Sequence, residues 1–298
     1  MRYLTIEEYK NILAGVPADV DDKVGEFFWQ NTKFTPSHGR ILHMHIAYLS
    51  ASPYFVRRFL SPFKVCDGVP WIGLDIPSLP DTSLTQTLAK RRSPAQGKDT
   101  ILPFQILSAI LHYSYGVTAK KSHRMKNEWG VETDVVQSFR PIPSAGGLYP
   151  LEIYVAALRV AQLEPAVYHY NAFDSRLERI FGPVPLASME GRLERKLPGA
   201  RPTTWLACIL ITAIPKRQEI KYFSRAYRYI LQESGHLAQN ICLVAASCGY
   251  GILPIGGFDE DAFGEELGAS FPEEFVVYPL LLAEPAEAQA DEHTEKML

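Results

Sequence analysis

Two apolar runs of strand length constrain this chain most: "LEIYVAALRV" at residues 151–160 and "WLACILITAI" at residues 205–214. Neither approaches the roughly 18 residues that a membrane-spanning helix needs. Both read as buried strands, and a buried strand must find hydrogen-bonding partners for its backbone along both edges. The chain supplies candidates. "AVYHYNAFDSRLERI" reads as a hairpin turning near Asp174, and "ILPI" and "EFVVYPLLLAE" read as two more strands. Helices intervene. "ILPFQILSAILHYSYG" places Pro103 near its first turn, apolar side chains at Leu107, Ile110 and Leu111, and Gly116 as a stop. A longer helix runs from within "KYFSRAYRYILQESGHLAQN" to about Cys248, where Gly249 ends it. The expectation is a mixed α+β domain.

Ahead of it, Thr5 and Glu8 form a capping box for a short helix closed by Gly15, and "DDKVGEFFWQNT" carries a second helical pattern. With prolines at 36, 53, 62, 70, 77 and 80, the stretch from Thr35 to about Asp81 is expected to be irregular. His43 and His45, two apart in "HMHI" as on one face of a strand, have no acidic or cysteine partner close in sequence and read as ordinary imidazoles. Residues 1–84 are therefore an N-terminal extension, 85–283 the main domain and 284–298 a polar C-terminal tail.

Composition removes several function classes. A net charge of -3, a pI near 6.3 and no long Lys/Arg block argue against a nucleic-acid partner. "MRYLTIEEYK" lacks the apolar segment of a signal peptide, so a cytoplasmic protein is expected, with no membrane partner. Cys66, Cys208, Cys242 and Cys248 form no CxxC pair and read as reduced, mostly buried thiols, with no metal role.

Three stretches carry chemistry that local structure does not require. In "LAKRRSPAQG", Arg91 and Arg92 offer guanidinium forks and Ser93 a hydroxyl, a set suited to phosphate, although a surface arginine pair reads the same way. In "FRPIPSAGGLYPLEIYV", three prolines stiffen a loop ahead of a strand; its two glycines let a planar ligand lie against the backbone, and Ser144 can donate to it. A plain structural loop is the other reading. "CGYGILPIGGFDEDAF" has glycines between a helix and a strand, the wrong order for a dinucleotide fingerprint; Gly256 and Gly257 instead end a strand, and Asp259 is a helix N-cap.

"RPIPSAGGLYPLEIYV", "KYFSRAYRYILQESGHLAQN" and "LPIGGFD", in that order, resemble the SagB-type dehydrogenases, azoline oxidases of the nitroreductase superfamily. The resemblance covers residues 85 to 283. It implies a nitroreductase-like FMN-binding fold, a homodimer with the flavin at the subunit interface, an azoline-containing peptide substrate and a cyclodehydratase partner. Arg91, Arg92 and Ser93 then match the phosphate contacts. Pro143, Ser144, Ala145, Gly146 and Gly147 match one ring-facing loop, and Pro254, Ile255, Gly256 and Gly257 the other. Lys221 and Tyr222 match the catalytic pair: dehydrogenating an azoline removes a hydride, which FMN accepts, and a proton, which needs a base. Without that context Lys221 reads as a solvated cation flanking a helix. Two departures stand out. Gly147 and Tyr149 replace the Asn and Gln of many nitroreductases, and no basic pair follows "VVYPLLLAE". An NAD(P)H-dependent nitro- or flavin-reductase of the same fold and a non-catalytic scaffold subunit are the alternatives. Arg225, Tyr227 and Arg228 are assigned to an interface, the flavin or the surface without choosing. His236, Gln239 and Asn240 are expected to form a buried polar stripe.

Overall fold

The computed structural model describes residues 25, 28–60, 62–126, 129–183, 186–196 and 204–286. The expected helix over residues 5–15 and tail residues 287–298 lie outside these. The chain begins with helical residues 28–31, then α1 (Pro36–Ala51), α2 (Pro53–Leu60), β1 (Trp71–Gly73), α3 (Leu84–Lys90) and α4 (Phe104–Tyr115). It continues with β2 (Ala119–Lys126), β3 (Glu132–Phe139), β4 (Leu151–Ala157), β5 (Ala166–Asn171), β6 (Arg176–Phe181) and α5 (Leu186–Lys196). Last come β7 (Ala207–Ala213), α6 (Lys216–Tyr222), α7 (Ala226–Ser247), β8 (Gly251–Pro254), α8 (Glu260–Leu267) and β9 (Phe275–Ala283).

Seven strands form one antiparallel sheet in the order β1-β6-β5-β4-β7-β9-β8, with β2 and β3 a separate hairpin. The two apolar runs are its neighbouring central strands, Leu151 opposite Ala213 and Ala157 opposite Ala207. Side chains alternate between faces along a strand. Ile153, Val155, Ile209 and Ile211 therefore meet Leu107 and Ile110 of α4 and Leu237 and Ile241 of α7. Ala156, Cys208 and Leu210 point the other way, onto Leu193 of α5 and Phe263 and Leu267 of α8. Both faces are covered, so these strands read as apolar throughout. Each such aliphatic side chain contributes about 1.5–3 kcal/mol.

The proline-rich extension is irregular over residues 62–70 and 74–83, but its first part is helical. Pro36 and Pro53 occupy first helical positions, where a missing N–H costs nothing, and Thr35 caps α1 by accepting from His38 N. His43 and His45 thus sit on a helix, not a strand. The extension also supplies the edge strand β1, which pairs with β6. Ahead of β1, Lys64 Nζ donates to Glu274 Oε2 at 2.6 Å and the Cys66 amide donates to Glu178 of β6 at 3.1 Å. None of the four cysteines forms a disulfide. Among the described residues no helix is long and apolar enough to cross a membrane.

Candidate active site

Helix α6 stops at Tyr222 because Phe223 takes a φ of 51°, a left-handed value that breaks the helix before the turn Phe223–Arg225 and α7. Lys221 and Tyr222 therefore occupy the last turn of a short helix, with the Tyr222 ring packed edge-on against Tyr229 of the long helix that follows, centroids 5.1 Å apart. The extension braces this break. His45 Nε2 lies 2.8 Å from the Ile220 carbonyl, and its ring packs against Phe223 with centroids 4.6 Å apart. Arg225 and Arg228 donate to the Thr32 and Trp29 carbonyls and the Thr32 hydroxyl. These two arginines hold the extension.

The loop ahead of β4 is a tight turn in which Gly147 N donates to the Ser144 carbonyl at 3.0 Å. Gly146 and Gly147 have φ of 68° and 66°, where an L side chain is strained. A Cβ added to Gly146 would lie 2.6 Å from Tyr222 Oη and 2.9 Å from Lys221 Nζ. The folded chain thus brings together the glycine loop and the Lys-Tyr pair, 75 residues apart for Gly146 and Lys221. The Ser144 hydroxyl is engaged within the loop, accepting from Tyr149 N at 2.9 Å. Tyr149 is buried, and its Oη accepts from Arg140 N, so neither side chain substitutes for the amides absent from this loop.

Burial lowers the Lys221 pKa from the usual 10.5, because a half-buried ammonium loses hydration. Its neighbours are aromatic, the ring centres of Phe59 and Tyr222 lying 6.0 and 5.6 Å from Nζ. Burial, and then the neighbouring Tyr229, raise the Tyr222 phenol, which stays a neutral donor at physiological pH. Two cavities flank the pair. One, of about 260 Å³, is lined by Thr32, Phe34, His38, Tyr222 and Phe223; the other, of about 670 Å³, by Phe59, Phe63, Leu148, Arg217 and Ile220. The extension contributes to both walls.

The other candidates gather elsewhere. Ile255 N donates to the Pro279 carbonyl, level with β4 but across β7 and β9. Three strand spacings, about 14 Å, thus separate Gly256 and Gly257 from the line of β4. A Cβ on either would meet nothing within 4 Å. Pro94 packs on Gly251 at the start of β8, which places Arg91 and Ser93 on this same side. Arg91 Nη1 lies 3.5 Å from Ser93 Oγ, whereas Arg92 turns back to the Ala89 and Arg91 carbonyls. His236 and Gln239 are exposed and Asn240 is half-buried, so the expected stripe is not a buried one. The buried polar groups of that region include Glu233 on α7 and Gln218 on α6, near the glycine loop, and sequence reasoning passed over both.

Cys66, His169 and Glu178 lie close enough to suggest a metal site. His169, however, places Nε2 3.0 Å from Glu152 and Nδ1 3.0 Å from Glu178. Burial opposes its charge, but hydrogen bonds with Cys66, Glu152 and Glu178 outweigh that and hold it protonated well above 6.5. Both ring nitrogens are thus engaged by carboxylates, an arrangement that reads as a buried ion-pair chain.

Residues 88–283 match the Nitroreductase family. The chain belongs to that family. It is an oxidoreductase family whose members typically bind a flavin. The chain is 30% identical over 214 residues to MJ1384 of Methanocaldococcus jannaschii, provisionally named a nitroreductase, covering 70% of this chain and 93% of the relative. It is 34% identical over 121 residues to the microcin B17-processing protein McbC of Escherichia coli, covering 37% of this chain and 41% of McbC. A nitroreductase-type structure from Anabaena variabilis superposes with a TM-score of 0.62 at 27% identity over 87% of this chain, which spans 46% of that longer one. The nitroreductase-like fold also recurs in the Escherichia coli microcin synthetase McbBCD complex with truncated pro-MccB17 bound, at a TM-score of 0.54 and 18% identity over 80% of this chain and 93% of the other.

Proposed function

We propose that this nitroreductase-family protein is an FMN-dependent dehydrogenase that oxidises thiazoline or oxazoline rings of a precursor peptide to azoles. The observation that carries this reading is the contact between Gly146 and the Lys221–Tyr222 pair, which sets a base and a phenol beside a loop suited to a planar ring. The open, side-chain-free backbone at Gly256 and Gly257 fits the same group from the β8 side. Local identity to a microcin-processing protein supports a peptide substrate and a cyclodehydratase as partner.

FMN, when bound, would supply the acceptor for the hydride that leaves one ring carbon. Lys221, as the free amine, removes the proton from the adjacent carbon, and its lowered pKa leaves more of that amine at neutral pH. Tyr222 keeps its proton and orients Lys221 or passes the proton outward. Pro143, Ser144, Ala145, Gly146 and Gly147 would line one side of the ring, and Pro254, Ile255, Gly256 and Gly257 the other. Arg91 and Ser93 would hold the phosphate, with Arg92 supporting their backbone instead of touching it. The separation of the two loops within one chain supports a homodimer in which one copy's Gly146 loop meets the other's Gly256 loop.

The test is the visible spectrum of the purified protein with and without NADPH under anaerobic conditions, followed by mass spectrometry of an azoline peptide. A yellow protein that NADPH does not bleach, and that removes two hydrogen atoms per ring, is expected. The relationship to MJ1384 favours a second reading, an NAD(P)H-dependent reductase. Rapid bleaching without azoline oxidation would establish it instead.

A further inference from the structure

A buried carboxyl ties the two halves of the candidate site together. Glu233 of α7 is only 2% exposed. Gln218 of α6, itself fully buried, donates from Nε2 to Glu233 Oε2 at 3.2 Å. The Ser144 hydroxyl and the Ala145 amide of the glycine loop lie beside the same carboxyl, near enough to favour its charged form, while its Oε1 makes no hydrogen bond among the described residues. Gln218 precedes Lys221 and Tyr222 by three and four residues, one helical turn, and so shares their side of α6. One buried side chain thus stands between the loop that carries Gly146 and the helix that carries the Lys-Tyr pair, bonded to the helix and adjoining the loop.

We infer that Glu233 is a positioning residue: by holding Gln218 and residues 144–145 to a common point, it sets the spacing between Gly146 and the Lys221–Tyr222 pair. Its importance for turnover rests on the proposed role of that pair as proton acceptor.

The surroundings favour an uncharged Glu233. Burial pushes its carboxyl up to about 8, against the pull of the Ser144 hydroxyl, the Arg140 guanidinium, Gln218 and the Ala145 amide. Tyr115 of α4, the remaining titratable neighbour, is kept a neutral phenol by burial. Gln218 Oε1 and Glu233 Oε1 are both buried with no partner among the described residues. Turning the amide over lets a protonated Glu233 donate to it, so Gln218 serves either protonation state. Ionisation would exchange that donor for an acceptor, and the Ser144 and Ala145 contacts would then tighten around a charge. Loop spacing and Glu233 charge are therefore linked.

Two readouts test this on the full-length protein as purified. The first is the rate at which acetic anhydride labels Lys221, followed by mass spectrometry, which requires neither flavin nor substrate. Glu233→Ala should label severalfold faster than the wild type as the loop moves off Lys221, whereas the isosteric, uncharged Glu233→Gln should match the wild type near neutral pH. Should Glu233→Ala fail to fold, the Glu233→Gln comparison carries the test: raising the pH through about 8 should separate the wild type from this variant. The second is turnover of an azoline peptide, where Glu233→Ala should lower kcat per bound flavin by about 10-fold or more with little change in KM. Unchanged labelling in a folded Glu233→Ala, or coincident pH profiles for the wild type and Glu233→Gln, would overturn the inference. Altered labelling in a protein that oxidises no azoline would leave the positioning role standing and remove the proposed function.

Discussion

Gly146 and Tyr222 approach so closely that a single methyl group on the glycine would stand 2.6 Å from the tyrosine Oη. Those atoms, with Lys221 Nζ at 2.9 Å, are the far ends of flexible side chains, so Gly146→Ala displaces the pair without breaking the core. Gly147 supplies the control. Its φ is nearly the same, but its added Cβ would meet only Gln137 Nε2, at 3.4 Å. Both alanine variants should lose about 1–2 kcal/mol to left-handed strain, seen as similar drops in Tm. Only Gly146→Ala should also disturb the Lys-Tyr pair, so its kcat per bound flavin should fall further. Equal kcat in the two variants would show that the contact does not matter for turnover.

Lys221→Ala should retain flavin yet slow azoline oxidation by about 100-fold or more, the range for a lost general base. The pH dependence has a definite sign. The base acts as the free amine and burial lowers its pKa, so kcat should rise with pH and level off below the usual lysine value of 10.5. That rise should vanish in Lys221→Ala. Tyr222→Phe should keep the rise at lower amplitude, since Tyr222 is neutral throughout this range.

The legibility of the chain followed the strength of its local signals. Strands β4 and β7, buried on both faces, and helix α4, with Pro103 before it and Gly116 after it, were plain because apolar period and end signals agree. Asp259 likewise caps α8 by accepting from Ala262 N. The proline-rich extension misled because a proline breaks a helix only from within, whereas Pro36 and Pro53 begin one. The hairpin β2–β3 carried no apolar alternation to announce it, its strand "AKKSHRMK" being largely exposed. At the site, the glycine loop and Lys221–Tyr222 were legible as residue types, but their contact is a long-range product of the fold. Glu233 and Gln218 are polar residues of two different helices, with no sequence pattern to link them. Only burial distinguishes them.

His45 should matter through α6 and not through a metal. Its Nε2 lies 2.8 Å from the Ile220 carbonyl, one residue before Lys221, and its ring packs at a tilt against Phe223. His45→Ala should cost about 1–2 kcal/mol of stability. Helix α6 should fray at its last turn, so kcat should fall by a smaller factor than in Lys221→Ala. A chelator should leave the wild type unchanged, and its inhibition of the enzyme would contradict this assignment.

Removing the central imidazole of the buried chain Arg217–Glu152–His169–Glu178–Arg176 should destabilise the fold without touching the chemistry. The side chains of Glu152, His169 and Glu178 are 5%, 0% and 1% exposed, so His169→Ala leaves two buried carboxylates without their shared cation. A loss of about 3–5 kcal/mol is expected in denaturant unfolding. Its pH dependence follows from the shifts. For Glu152 and Glu178 burial opposes ionisation, but Arg217 and His169 around the first, and His169, Asn171 and Arg176 around the second, hold both near 2. Their contribution is complete above 4.5 and lost as pH falls through the lowered values. His169 is raised, so its contribution is complete below 6.5 and lost as pH climbs through the raised value. The stability gap between wild type and His169→Ala should therefore be widest between 4.5 and 6.5 and narrow on either side. A gap that is flat with pH would mean that the imidazole is neutral in the folded protein and serves only as packing.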